Sequence, residues 1–438
     1  MALHPILTEK LNFALDAVER TQVTRRDIAL PSIRNKAHAV IGMRRAGKTT
    51  YLLQLQSDER ALGLSAAHQA IYLSFDDDRL ADLDHTQLSE LLEEYFRRYP
   101  ELRNKQRCVW YLDEIQLVDG WERFVRRVLD TEQIDIIVSG SSARMLSREV
   151  HTSLRGRGIE TIVRPFSFRE FLRHHGQEPK KPSARLKAAE RSAIEKWFLL
   201  YLRHGGFPEV QGLSDTLHTQ LLQSYVDTVI FRDIIERYQL SQIAALRWLT
   251  RQCLRNPASL FSLNRFHQDL KAQGHGTSKD ALHAMFGHLL DSFLVEALPI
   301  ATESERRLNS NPRKIYPIDT GLIRAFDQSG RSNIGHALEV MVQSELQRQG
   351  ATLAYVRTQR GFEVDFLARF SNGKEQLIQV CADLSNATRL EREIRAMEDA
   401  TLDYPRAEKL MLVLYASDVL LAQAHGVRAL QVWAWALD

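Results

Sequence analysis

Gly42-Met43-Arg44-Arg45-Ala46-Gly47-Lys48-Thr49 is the most informative stretch of this chain. It satisfies the pattern G-x-x-x-x-G-K-[ST] in full, and its flanks are the ones that pattern requires. His38-Ala39-Val40-Ile41 in front is short and apolar, as a buried parallel strand should be. Thr50-Tyr51-Leu52-Leu53-Gln54-Leu55 behind carries apolar residues at helical spacing, so strand, loop and helix follow in order. The physical reading is a phosphate cradle. Gly42 and Gly47 let backbone N–H groups turn inward around an anion, and the helix that follows adds its positive end. Residues Gly42, Met43, Arg44, Arg45, Ala46, Gly47, Lys48, Thr49 and Thr50 are therefore expected to contact the phosphates. Lys48 would reach the outer pair of them, and the Thr49 hydroxyl would ligate Mg²⁺.

A second signal sits some sixty residues downstream, in Cys108-Val109-Trp110-Tyr111-Leu112-Asp113-Glu114. This is an apolar strand ending in two carboxylates. Side chains alternate along a strand and the chain turns after Glu114, so the two acids can serve different tasks. Asp113 is the expected magnesium holder. Glu114 is expected to act as general base on the water that attacks the terminal phosphate of ATP. Between these signals, Ala70-Ile71-Tyr72-Leu73-Ser74-Phe75 reads as another strand running into Asp76-Asp77-Asp78. Those acids fit a metal site or, more simply, a solvated helix cap.

A further strand, Ile134-Asp135-Ile136-Ile137-Val138-Ser139, follows a helix that carries Trp121, Phe124, Val125, Val128 and Leu129 on one face. It ends in Gly140-Ser141-Ser142. Ligands of α/β sheets gather at the carboxyl ends of strands, so Ser141 is placed to position water or sense the phosphate, and a serine-rich helix cap is the alternative. An arginine-rich run then includes Leu154-Arg155-Gly156-Arg157-Gly158. An arginine in a glycine turn can be aimed at a phosphate of the same or a neighbouring subunit, and Arg157 is the first choice for such a finger.

At 438 residues the chain is too long for one ordinary core. Its 44% hydrophobic and 26% charged content is that of a soluble globular protein. With 58 basic residues against 55 acidic ones, net charge alone does not announce nucleic-acid binding. The three cysteines, Cys108, Cys253 and Cys381, lie far apart and suggest neither a disulfide framework nor a zinc site. No signal peptide or membrane span is read, and the expected setting is cytoplasmic.

Four segments follow from composition. Residues 1–37 read as a helical preface with Leu11, Phe13, Ala14, Ala17 and Val18 on one face, and residues 38–180 as the nucleotide domain. Residues 181–330 look helical. Within them Phe261 to Leu270, a turn at Gly274 and Gly276, and Ser278 to Leu290 make two helices. The segments Leu294 to Pro299 and Lys314 to Ile318 then resemble a hairpin, giving the order of a winged helix-turn-helix. Residues 241–299 hold six basic and four acidic residues, a net +2 that is thin for phosphate contacts, so a protein-packing role is at least as well supported.

Residues 331–438 carry a separate constellation: Glu339 on a helix, then Glu363 and Asp365 on a strand, then Gln379-Val380-Cys381 on another. A metal-dependent nuclease would need a carboxylate and a lysine where Gln379 and Cys381 stand. The expectation is a nuclease-like fold without the chemistry.

Together these residues resemble a family, the prokaryotic AAA-type ATPases whose C-terminal domain of unknown function ends in a restriction-endonuclease-like fold. The resemblance rests on residues 42–49, Leu112-Asp113-Glu114-Ile115-Gln116, Ser139-Gly140-Ser141-Ser142, Leu154-Arg155-Gly156-Arg157, Gly205-Gly206-Phe207-Pro208-Glu209, Tyr316-Pro317-Ile318-Asp319-Thr320-Gly321-Leu322 and Glu363-Val364-Asp365-Phe366. It implies an α/β P-loop sheet domain, a winged-helix region and a small endonuclease-like domain, with ATP and Mg²⁺ as cofactors. The expected function is an ATP-driven switch or motor acting on DNA or on a protein partner, with a homo-oligomer as a further option. An ATP-gated nuclease and an ATP-stabilised scaffold are the alternatives.

Overall fold

The computed structural model describes residues 4–15, 23–31, 33, 35–63, 66, 68–140, 154, 156–310, 312–327 and 333–438. The chain divides into two compact units, Met1–Arg164 and Pro165–Asp438. The first unit therefore ends before the expected residue 180, for a reason visible in packing. Phe166, Phe168, Phe171 and Leu172 are buried in one cluster with Ile194, Phe198, Tyr201 and Trp433, all of the second unit. The same cluster runs on through Leu338, Phe366 and Leu412, so residues 181–330 and 331–438 share a core rather than standing as two domains.

In the first unit, helix α1 (Pro5–Leu15) packs beside β2 (Ala70–Ser74) and α3 (His85–Arg98) through buried Leu7, Leu11 and Ala14. Phe13 is exposed instead, while Ala17 and Val18 lie outside the described residues. The preface is not helical throughout, because residues 23–31 run without regular structure. Next come β1 (Ala37–Ile41), α2 (Lys48–Ala61), β2, α3, β3 (Cys108–Asp113), α4 (Trp121–Thr131), β4 (Ile134–Ser139) and β5 (Gly158–Ile162). The five strands form a parallel sheet in the order β2-β3-β4-β1-β5. Central β1 and β3 are buried at every position, which is why they read as unbroken apolar runs. Strand β5 pairs only with β1 at the edge and is mostly half-buried, so its sequence carries little strand signal.

The second unit opens with α5 (Phe168–His174), α6 (Ala188–His204), α7 (Asp215–Thr228), which continues as a π-helix over Val229–Glu236, and α8 (Ile243–Arg255). Strand β6 (Ser259–Phe261), α9 (Leu263–Ala272), α10 (Lys279–Asp291), β7 (Val295–Leu298) and β8 (Arg313–Pro317) follow, with an antiparallel sheet ordered β6-β8-β7. The remainder is α11 (Thr320–Phe326), α12 (Ile334–Arg348), β9 (Thr352–Arg357), β10 (Glu363–Arg369), β11 (Glu375–Cys381), α13 (Ala387–Asp403), β12 (Glu408–Val413), α14 (Ala416–Ala424), β13 (Ala429–Gln431) and α15 (Val432–Leu437). These strands form a mixed sheet ordered β13-β12-β11-β10-β9, antiparallel among β9, β10 and β11 and parallel from β11 to β13. Alternation splits β12 cleanly: Leu410 and Leu412 face one core, Met411 and Val413 the other. In β10 the register against β9 shifts between Val364 and Leu367, and Asp365 sits in that irregularity.

Two glycine motifs noted in the sequence prove to be one joint. Asp319 Oδ2 accepts from the Gly206 N–H at 2.7 Å, and Oδ1 accepts from the Gly321 N–H at 2.9 Å. A Cβ at Gly206 would lie 2.2 Å from the Phe166 carbonyl oxygen, and one at Gly321 2.3 Å from that of His204. Only glycine permits so close an approach of backbones. Burial pushes the Asp319 carboxyl from its ordinary 3.8 up to about 6, against the pull of its two N–H donors. The folded-state value lies above the unfolded one, so this group's contribution to stability is complete below pH 4 and is lost as pH rises through 6. The loss amounts to about 3 kcal/mol. Urea unfolding followed from pH 4 to 7 should show this decline, and Asp319→Asn should flatten it.

Candidate functional site

Strand β1 ends at Ile41, in the interior of the sheet between β4 and β5, and the glycine-rich loop begins there. Gly42 has φ +147°, and a Cβ on it would lie 2.2 Å from the Val163 carbonyl oxygen, just beyond β5. Gly47, with φ +100°, caps the start of α2, and Arg45 between them is also left-handed at φ 65°. These torsions wrap the loop so that the first residue of α2, Lys48, folds back under it. The Lys48 ammonium is buried and donates to the carbonyl oxygens of Gly42 at 3.0 Å and Met43 at 3.1 Å. The cradle that the spacing predicted is thus closed by its own lysine.

The carboxyl ends of the neighbouring strands converge on Asp113, which is buried. Its Oδ2 accepts from the Thr49 hydroxyl at 2.8 Å and from the Tyr72 hydroxyl at 2.6 Å, while Ser139 donates to Oδ1. Thr49 and Asp113 therefore stand together, as a shared magnesium ion would require. A hard cation takes oxygen donors, and a hydroxyl beside a carboxylate is such a pair. Glu114 leaves the strand with φ 54°, a left-handed torsion that is costly for a non-glycine residue. Its N–H donates to Ser139 Oγ at 3.3 Å, and its Oε2 accepts from Gln116 Nε2 at 2.5 Å. The turn separates the two carboxylates as the alternation argument expected. Of the acids after β2, Asp77 caps the short turn at Asp78–Leu80 and pairs with Lys10 at 3.0 Å and Arg79 at 2.8 Å, the capping reading.

Arg157 stands elsewhere. Its carbonyl accepts from the Ala37 N–H at 2.8 Å, so it sits at the amino end of β1, and its guanidinium pairs with Asp130. The loop lies at the other end of that five-residue strand, roughly 15 Å away. The structure does not bring Arg157 to the phosphate loop of its own chain. Ser141 and Ser142 lie outside the described residues, as does Arg155.

Sequence reasoning passed over several contributors. Arg26, in the irregular segment, is buried and donates to the carbonyl of Ala46 within the loop at 2.9 Å and to that of Arg164 at 2.5 Å. Gln54 on α2 locks this segment in place by pairing with both the N–H and the carbonyl of Arg26, at 2.7 and 3.1 Å. Tyr72 was likewise missed, with nothing in its local pattern to mark it, and Gln116, though quoted in the Leu112 to Gln116 motif, was given no role. The residues of the C-terminal constellation, Glu339, Glu363, Asp365, Gln379 and Cys381, do line one cavity, of about 580 Å³. Lys374, the lysine nearest to it in sequence, pairs instead with Glu408 at 3.1 Å.

Arg26 braces the loop from behind, so Arg26→Met is expected to keep the fold and weaken binding of a fluorescent ATP analogue about tenfold. That corresponds to the loss of one charge-assisted hydrogen bond. Arg26→Lys should recover part of the affinity, measured by fluorescence titration.

Comparison with known proteins accords with this geometry. Residues 34–172 match the family described as AAA domain, and residues 195–333 match a domain of unknown function, DUF8612. An uncharacterised protein of Haemophilus influenzae is 26% identical over 333 residues, covering 75% of this chain and 78% of that one. The Walker-type ATPase PABY2304 of Pyrococcus abyssi is similar at a TM-score of 0.41 and 13% identity, over 74% of this chain and 95% of that one, a likeness too loose to carry an argument. The uncharacterised protein MJ1544 of Methanocaldococcus jannaschii is 31% identical over 434 residues, which is 97% of this chain and 93% of the archaeal one. The protein belongs to the family of MJ1544 and carries an AAA-type P-loop ATPase domain in its first part.

Proposed function

We propose that the protein binds and hydrolyses ATP and uses the cycle as a conformational switch or motor on a macromolecular partner. The observation that carries this reading is the meeting of Thr49 with Asp113 at 2.8 Å beside the closed Lys48 loop, with Glu114 turned away on its own hydrogen bond. The N–H groups at the start of α2 and the Lys48 ammonium bind the β- and γ-phosphates, the lysine exchanging its carbonyl contacts for phosphate oxygens. Thr49 and Asp113 would hold Mg²⁺, which supplies charge neutralisation at those oxygens when bound. Glu114 takes the proton of the attacking water, and Gln116 aims its carboxylate. Ser141 is proposed to position that water. Arg157, far from its own loop, is proposed to serve a neighbouring copy, which makes a homo-oligomer part of the reading.

Lys48→Ala should abolish tight ATP binding. Glu114→Gln should keep binding within a fewfold and lower turnover by at least about a hundredfold in a phosphate-release assay. Equal turnover by Glu114→Gln and wild type would remove Glu114 from the mechanism. Arg157→Ala should reduce turnover with little effect on affinity, and the wild-type rate per chain should rise with protein concentration. A rate per chain independent of concentration would sink the role in trans.

DNA is the partner class with a specific observation behind it. The succession α8, β6, α9, α10, β7, β8 with a three-stranded antiparallel sheet is the order of a winged helix, and Arg265 and Lys279 on its helices are exposed. Duplex binding by this region is expected to be weak and steeply salt-dependent. Arg265→Ala or Lys279→Ala should each lower the slope of log affinity against log salt by about one. Binding unchanged in both variants would reassign the region to a protein partner.

A further inference from the structure

The cavity of about 580 Å³ in the second unit has three lining carboxylates, Glu339, Glu363 and Asp365, that are held together by a lysine from another sheet. Lys314 belongs to β8, where it pairs across to Leu298 and Leu260, yet its side chain is 3% exposed and reaches three carboxylates that line the cavity. Its ammonium lies 3.1 Å from Glu339 Oε1 on α12, and 2.8 and 3.0 Å from Glu363 Oε1 and Asp365 Oδ1 on β10. Three N–H donors meet three carboxylate oxygens, so the group is saturated. Tyr316, two residues along β8 and therefore on the same face, adds its hydroxyl to Glu339 Oε1 at 2.7 Å. The other oxygen of Asp365 accepts from the Val380 N–H at 3.0 Å.

Neither residue at the position of the missing nuclease pair competes for this role. Gln379 spends its amide on the Asp365 N–H at 3.3 Å and on Glu393 Oε2 at 2.8 Å. Cys381 is buried, which pushes its thiol well above the ordinary range and keeps it neutral. The positive charge among Glu339, Glu363 and Asp365 is thus supplied by a strand of another sheet, while Arg389 and Arg392 line the cavity elsewhere.

We infer that the Lys314 ammonium occupies the place of a divalent cation among Glu339, Glu363 and Asp365, so that the pocket is a latent hard-metal site closed by the protein's own lysine. Oxygens gathered about 3 Å from one nitrogen need to contract only to about 2.3–2.6 Å to bind Ca²⁺, and the same all-oxygen set suits Mn²⁺. While the ammonium stays, a dication would have to displace a buried charge held by three partners.

The inference is independent of the ATPase reading and is tested on the full chain without nucleotide. Mn²⁺ binding is followed by the loss of the free-ion signal in electron paramagnetic resonance. Wild type should show no Mn²⁺ binding that Asp365→Asn removes. Lys314→Met should gain one Mn²⁺ per chain, and adding Asp365→Asn should abolish it. A wild-type protein that already binds an Asp365-dependent Mn²⁺ ion would overturn the inference, as would a folded Lys314→Met that gains none. If the three unpaired carboxylates unfold Lys314→Met in chelator, millimolar Mn²⁺ should restore a cooperative melting transition. Failure to restore it in both Lys314→Met and Lys314→Gln would equally overturn the assignment.

Discussion

A buried ammonium must be surrounded by oxygen, because taking it out of water unpaired costs several kcal/mol. This chain meets the demand at Lys48 and at Lys314. Lys48 lies buried under the glycine-rich loop and donates to the carbonyls of Gly42 and Met43. Lys314 is caged by three carboxylates, so its charge is consumed. The first cage exists only because Gly42 adopts φ +147° with the Val163 carbonyl where a Cβ would be. Strand β5 therefore holds the loop in shape as well as closing the edge of the sheet.

From the closed loop the rest of the site follows along the carboxyl edge of the sheet. Asp113 gathers hydroxyls from α2, β2 and β4: Thr49 at the start of α2, Tyr72 in the middle of β2 and Ser139 at the end of β4. A buried carboxylate satisfied by three donors is a network in which the bonds reinforce one another, and it ties strand positions to site geometry. Arg26 and Gln54 tie the segment before β1 to the loop through the Ala46 carbonyl.

The second unit is organised by backbone approach and by a shared core. The Asp319 joint forces Gly206 and Gly321 against carbonyls of their neighbours, and the cluster around Phe198, Phe366 and Trp433 runs across what composition divides into two segments. Residues 174–196 are rich in charged side chains. Their apolar members Leu186 and Ile194 are nevertheless buried, and they commit the segment to the core.

The sequence by itself determined the phosphate loop, its strand and helix, and the Asp113 and Glu114 pair, because those features are encoded by contiguous residues whose spacing is the geometry. It also marked α9, α10, β7 and β8 and the elements of residues 334–381 closely, since alternation and helical period are local signals, while the short strand β6 was not read. Edge strand β5 escaped because a half-buried strand needs no apolar run. Only the tertiary structure decided that Arg26 reaches a carbonyl 138 residues away, that Arg157 stands at the far end of its strand from the loop, and that Lys314 meets Asp365 across 51 residues. Such pairings are made by the packing of one element on another. A side chain's local pattern records that it will be buried or exposed, and not which distant oxygen it will find there.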